Sequence, residues 1–201
     1  MVLAGGRSSR MGREKALLTV EEGSSETWLD RAVGTLLNAG ASAVWISVRD
    51  PAIFQETGKN AAGMISDLTP DLGPLGGLKS VLQVLSDREG LREGDGVVVL
   101  PVDMPSMLPE TIQRLVNELQ ARPECEAIHY YGFELPIVLR FSTKILARLR
   151  DPDRYTRYAV HEFLELLSTV ALPLPKVALV NQGLSPFLNV NSPEDLHELS
   201  H

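Results

Sequence analysis

Residues Gly96 to Asp103 read GVVVLPVD, a β-branched apolar run closed by an acid. An unbroken apolar stretch of this length predicts a strand buried on both faces, as at the centre of a parallel sheet. Met104-Pro105 follows, and the residue before a proline is driven away from helical backbone. The chain must therefore turn just past Asp103, which leaves that carboxylate pointing out of the end of the sheet.

Periodicity on either side alternates between the two kinds of element. From Thr27, the apolar residues Leu29, Ala32, Val33, Leu36 and Leu37 keep helical spacing up to Gly40, a good C-terminal stop. Val44 to Val48 and Gly63 to Asp67 predict strands. The turn-rich DLTPDLGP comes next, then a helix carrying Leu75, Leu78, Leu82 and Leu85 on one face. Beyond the central strand, Pro109 to Arg122 predicts a helix, Ala127 to Tyr131 and Leu135 to Arg140 predict strands around Gly132, and two helices span Thr143 to Leu167. Near the end, SPEDLHEL places Ser192 as N-cap, Pro193 at the first helical position and acids in the first turn. The whole predicts an α/β chain with a mostly parallel central sheet covered by helices on both faces. Ligands of such sheets bind beyond the carboxyl ends of the strands, where the first loop, Asp67, Asp103 and Asn191 would converge.

With 201 residues and 44% hydrophobic content, the expectation is one domain, 1–201. The 26 carboxylates against 19 Lys and Arg argue against broad nucleic-acid binding, which needs an extended basic face. No apolar stretch approaches the length of a membrane span and the start lacks a secretory pattern. Cys125 is the single cysteine and is compatible with a reducing compartment. A cytoplasmic protein without membrane or nucleic-acid partners is therefore expected. Met1-Val2-Leu3 makes a very short first strand; either the strand is trimmed in this fold or the true start lies upstream.

Positive charge is concentrated at one point. Met1 to Lys15, MVLAGGRSSRMGREK, follows an apolar run with Gly5-Gly6 and then Arg7, Arg10, Arg13 and Lys15, four cations within nine residues of a chain of net charge -7. The glycines can take φ > 0 and bring backbone N–H groups to an anion, and the cations suit a polyphosphate. A P-loop, GxxxxGK[ST], is excluded because Gly6 and Gly12 are one residue too far apart and Arg13 follows; GxGxxG is absent as well. The bland alternative is an ordinary strand-to-helix turn with solvated charges.

LAGGRSSRMGREK at Leu3 to Lys15, GPLGG at Gly73 to Gly77, VDMP at Val102 to Pro105 and NVNSPEDL at Asn189 to Leu196 together resemble the molybdenum cofactor guanylyltransferase family, among the MobA-like nucleotidyltransferases. Order and spacing match along nearly the whole chain. The resemblance implies a Rossmann-like three-layer fold of nucleotidyltransferase type and a magnesium-dependent enzyme. The reaction implied is transfer of GMP from GTP to the phosphate of molybdenum-bearing molybdopterin, by in-line attack and with release of pyrophosphate. GTP and molybdenum-molybdopterin are the expected partners, with transient contact to proteins that deliver or accept the cofactor.

Carried over residue by residue, the resemblance gives Leu3, Ala4, Gly5, Gly6, Arg10 and Lys15 to the triphosphate, with Arg10 and Lys15 catalytic. Cations aimed at the leaving pyrophosphate stabilise the transition state more than the ground state. It gives Asp103 a magnesium ion, a hard cation that one or two carboxylates and phosphate oxygens commonly hold; the alternative is a cap for the next helix. It gives Asp67 the base, since a carboxylate accepts from the adjacent N1–H and 2-amino group of guanine; the alternative is a plain strand-end residue. Gly73, Pro74 and Leu75 would lie in a loop against the base, Leu75 as an apolar contact. Asn189 and Asn191 flank Val190 and share a side if the segment is extended; they would serve the pterin side, or else turn chemistry before Ser192.

Two departures from the family stand out. Its asparagine near the end of the second strand is missing from Trp45-Ile46-Ser47-Val48-Arg49, where Ser47 is the available substitute. Glu134-Leu135-Pro136 lacks the histidine that often precedes the proline. His129, His161, His197 and His201 have neither ligand spacing nor a partner motif, and Cys125 is read as incidental. The readings that compete are cytidylyl transfer to the same cofactor, nucleotidyl transfer to a sugar phosphate, and a nucleotide-binding module without catalysis.

Overall fold

The computed structural model describes residues 1–5, 14–20, 23–54, 56–69, 72–88, 90–175, 186–187 and 189–190. The described strands are β1 (Val2–Leu3), β2 (Trp45–Val48), β3 (Gly63–Ser66), β4 (Gly96–Pro101), β5 (Ala127–Tyr130), β6 (Ile137–Arg140) and β7 (Thr169–Leu172). They form one sheet in the order β3-β2-β1-β4-β6-β5-β7. Strand β4 is its middle strand, as the apolar run predicts. Only β6 runs against the others, pairing antiparallel with β4 and β5. Strand β7 is parallel to β5 and is an element the sequence pattern does not announce.

The described helices are α1 (Trp28–Asn38), α2 (Gly73–Asp87), α3 (Pro109–Ala121), α4 (Thr143–Arg150) and α5 (Val160–Glu165). Local chemistry sets their ends. Thr27 Oγ1 accepts from the Asp30 N–H at 3.1 Å, and Asp30 Oδ2 accepts from the Thr27 N–H at 3.1 Å, a reciprocal box that satisfies two orphan donors of α1. At its other end Gly40 has φ +94°. There the Gly40 N–H donates to Leu37 O and the Ala41 N–H to Leu36 O, the paired bonds of a Schellman stop.

Alternation along β4 divides the core into two. Val97 and Val99 pack on the face covered by α2, α4 and α5, with Leu78, Val81, Leu82, Ile145 and Phe163. Leu100 and Val98 face α1 and α3, with Leu29, Val33, Leu36, Ile112 and Leu115. The same alternation sends Val2 and Ile46 toward α1 and α3, and Leu3 and Trp45 toward α2. Helices on both faces of a mostly parallel sheet are thus built as the periodicity predicts. Among the described residues no helix is long and apolar enough to cross a membrane. The expected C-terminal helix capped by Ser192 lies outside the described residues.

Candidate functional site

The sheet order reverses at β1, which has β2 on one side and β4 on the other. Leu3, the last residue of β1, stands opposite Ser47 of β2 and Pro101 of β4. Past this point the hydrogen bonds Ala4 N–H to Ser47 O (2.9 Å) and Val102 N–H to Leu3 O (3.0 Å) carry the pairing outward. A cleft of about 430 Å³ opens there, at the carboxyl ends of the parallel strands. Leu3 lines it from the end of β1, Ala4, Gly5 and Lys15 from the segment that follows, Ser47 and Asp67 from β2 and just past β3, and Pro101, Val102 and Asp103 from the end of β4 and just beyond it. The topological switch point of an open α/β sheet is where its ligands bind.

Lys15 and Asp103 meet in this cleft. Lys15 Nζ lies 3.4 Å from Asp103 Oδ2, with the side chains 15% and 26% exposed. Lys15 is therefore no solvated surface lysine. Asp103 does not cap the following helix either: the residue before α3 is Leu108, and no side chain caps it. The Asp103 carbonyl accepts from the Val190 N–H at 3.0 Å, and Val190 is fully buried. Phe187, whose ring packs on Tyr130 and Phe133, fixes the same segment beside the sheet.

Asp67 follows β3, its N–H donating to Val48 O at 3.0 Å. The buried Ser47 hydroxyl donates to Asp67 Oδ1 at 2.6 Å. Burial holds the Asp67 carboxyl above the ordinary aspartate range, and the Ser47 hydrogen bond pulls part of that rise back. A carbon in place of a Gly5 hydrogen would lie 2.8 Å from Asp67 Oδ2. This corrects one expectation, because Gly5 is not among the glycines with positive φ. Glycine suits the position because the Asp67 carboxylate, as Ser47 holds it, takes the space a side chain would occupy.

GPLGG also differs from its expected form. It is not a loop but the first turn of α2, with Gly73 at φ +66° and Pro74 at the start of the helix, where its missing N–H costs nothing. Gly73, Pro74 and Gly77 line the cleft. Leu75 does not: it is 1% exposed and packs in the core beneath α2. A helix turns about 100° per residue, so Leu75 faces the sheet once Pro74 faces the cleft. The expected apolar contact of Leu75 with a base is withdrawn.

Asn189 is exposed, as expected opposite the buried Val190, and is not among the described residues that line the cleft. Gly6, Arg7, Arg10, Arg13 and Asn191 lie outside the described residues. The structure adds Gly77, Pro101 and Leu135 to the cleft wall and makes Ser47 the partner of Asp67. Leu135 stands out in sequence only through the altered acceptor loop, while nothing local marks Gly77 or Pro101. Among the described residues no three His, Cys, Asp or Glu side chains gather as a metal cluster. His161 faces Glu134 at 3.5 Å, and the thiol of the buried Cys125 is pushed up by burial, which suits an inert side chain.

Known proteins resemble this chain along its length. The family model described as the MobA-like NTP transferase domain matches residues 1–167. A molybdenum cofactor guanylyltransferase of Xanthomonas euvesicatoria pv. vesicatoria is 32% identical over 207 residues, covering 100% of this chain and 93% of the relative. Another from Sinorhizobium fredii is 32% identical over 203 residues, covering 98% and 88%. Among solved structures, the molybdopterin-guanine dinucleotide biosynthesis protein A of Archaeoglobus fulgidus has the same fold, with a TM-score of 0.72 at 21% identity over 98% of this chain and 94% of the other.

Proposed function

The chain belongs to the MobA-like NTP transferase family, and on that premise we propose that it transfers GMP from GTP to the phosphate of molybdenum-bearing molybdopterin and releases pyrophosphate. The observation that carries this reading is the joint placement of the Lys15–Asp103 and Ser47–Asp67 pairs in one cleft at the switch point. Relatives at 32% identity that carry the name of this activity support the choice of acceptor.

The residues divide the work by their chemistry. Lys15 meets the β- and γ-phosphates and stabilises the pyrophosphate as it gains charge. Arg10 and Gly6 serve the same phosphates. Asp67 accepts from guanine N1–H and the 2-amino group, with Gly73 and Pro74 beside the ring. Asn189 and Asn191 serve the pterin side. No protein nucleophile or base is required, because the acceptor phosphate is already an anion; the chain's task is to hold the two phosphates in line.

Asp103 provides one partly exposed carboxylate, and among the described residues no three His, Cys, Asp or Glu side chains gather with it. This donor set fits magnesium, which is commonly held by one or two carboxylates together with substrate phosphates and water, and Asp103 is the residue that would hold it. Bound there, the ion supplies charge neutralisation at the phosphates. Residues 1–201 act as one catalytic domain in the cytoplasm, with transient contacts to proteins that deliver or accept the cofactor.

Pyrophosphate release measured in a coupled assay tests this reading. Release is expected only when GTP, molybdenum-molybdopterin and magnesium are all present, and chelation with EDTA should abolish it reversibly. Release that continues at full rate without the acceptor or after chelation would contradict it.

A further inference from the structure

A carboxylate at the end of a strand is held loosely by its own backbone. Its terminal torsion is broad and roughly two-fold, so it can turn to satisfy one donor of a ligand while losing the next. Asp67 is not left in that condition. Ser47 stands on the neighbouring strand, 1% exposed, and gives its hydroxyl hydrogen to Oδ1 at 2.6 Å, the short range of a bond to a charged acceptor.

The Ser47 hydroxyl is itself confined. A side-chain carbon at Gly77 would collide with Ser47 Oγ and would come within 3.0 Å of Leu3 Cδ2. On the other side the missing side chain of Gly5 gives its space to Asp67 Oδ2. Helix α2 is held over this pair from a second point, where the Ser80 hydroxyl donates to Gly76 O at 2.8 Å and accepts from the Leu68 N–H at 2.8 Å. Two glycines from different elements thus make room for one hydroxyl–carboxylate pair, Gly77 at Ser47 Oγ and Gly5 at Asp67 Oδ2.

We propose that Ser47 is a positioning residue for base choice, its hydroxyl fixing the plane of the Asp67 carboxylate so that guanine N1–H and the 2-amino group are both engaged. The proposal rests on the reading of Asp67 as the guanine contact. A carboxylate offers roughly four acceptor positions; Ser47 occupies one and leaves enough for the two donors of the base.

A pH signature accompanies this role. Lys15 and Asp103 share the cleft with Asp67, and the backbone N of Arg49 lies near Gly5; the α2 residues of the wall, Gly73, Pro74 and Gly77, carry no charge. Guanine binding needs the ionised carboxylate and is lost as pH falls through the Asp67 pKa. Removing the Ser47 hydrogen bond, which favours the ionised form, moves that loss to higher pH.

The test compares GTP, ITP and inorganic pyrophosphate by calorimetric titration in wild type, Ser47→Ala and Ser47→Cys. ITP keeps N1–H and lacks the 2-amino group, while pyrophosphate has no base at all. In Ser47→Ala the ratio of GTP to ITP affinity should fall roughly tenfold, the acid limit of GTP binding should move up relative to that of pyrophosphate, and pyrophosphate affinity should stay unchanged. Ser47→Cys keeps the branching of the side chain with a larger atom that donates weakly, and should resemble the alanine variant. A ratio unchanged in Ser47→Ala, or one that cysteine restores fully, overturns the role given to Ser47. A wild-type protein that binds GTP and ITP alike overturns the guanine contact of Asp67, and this proposal with it.

Discussion

Asp103→Ala is expected to slow GMP transfer by about a hundred- to a thousandfold, the usual cost of losing a group that stabilises charge at the reacting phosphates. Stability should hardly change. The side chain is 26% exposed, and its pair with Lys15 at 3.4 Å is the kind of partly solvated contact worth about 0 to 1 kcal/mol. The Val190 bond is made by the Asp103 backbone carbonyl and survives the substitution. Urea unfolding followed in parallel with turnover separates the two effects. Turnover close to wild type would remove Asp103 from the chemistry; a large fall in the unfolding midpoint would make the residue structural.

Asp67→Asn should reverse part of the base choice. Hydrogen bonds to a charged group contribute about 1.5 to 3 kcal/mol each, so turning one into a donor–donor clash and removing the charge from the other should weaken GTP by about a hundredfold. Where the Ser47 hydroxyl donates to the new amide as it does to the carboxylate, the amide oxygen stands at the Oδ1 position and the NH₂ at the Oδ2 position. An acceptor and a donor side by side no longer match guanine. They match xanthine, which keeps N1–H and presents a carbonyl oxygen at C2, so XTP should gain on GTP in the variant. Titration of both nucleotides into both proteins checks this. If GTP keeps its affinity and XTP gains nothing, Asp67 does not face the base.

The parts of this fold that the sequence announces are those whose cause is local. GVVVLPVD shows a central strand because burial on both faces demands an apolar residue at every position, and Asp103 shows itself by breaking that run. Helix α1 is legible from Thr27 and Gly40, whose caps depend only on neighbours along the chain. Strand β7 is not, because Thr169–Leu172 is a four-residue edge strand with a partly exposed face, and its partner β5 supplies the order that its own pattern lacks. GPLGG misleads in the other direction: glycine and proline suggest a loop, yet proline is at home in a first helical turn.

The candidate site follows the same division. Lys15 and Asp103 are found from charge and position, and the structure brings them together. The need for glycine at residue 5 looks like a backbone requirement until the Asp67 carboxylate appears where its side chain would be. Ser47 is a substitution of no obvious consequence until Gly77 and Asp67 close on it from two other elements. Contacts between residues remote in sequence leave no periodic trace, which is why Lys15 and Asp103 are more legible than the pairing of Ser47 with Asp67.

The central claim is the identity of what is joined to what, and the mass of the acceptor measures it directly. Molybdenum-molybdopterin incubated with the protein, magnesium and an equimolar mixture of GTP, CTP and ATP should gain the mass of one GMP unit, with one pyrophosphate released per adduct. An acceptor that gains CMP or AMP instead, or that remains unchanged while the protein still binds GTP, would contradict the account.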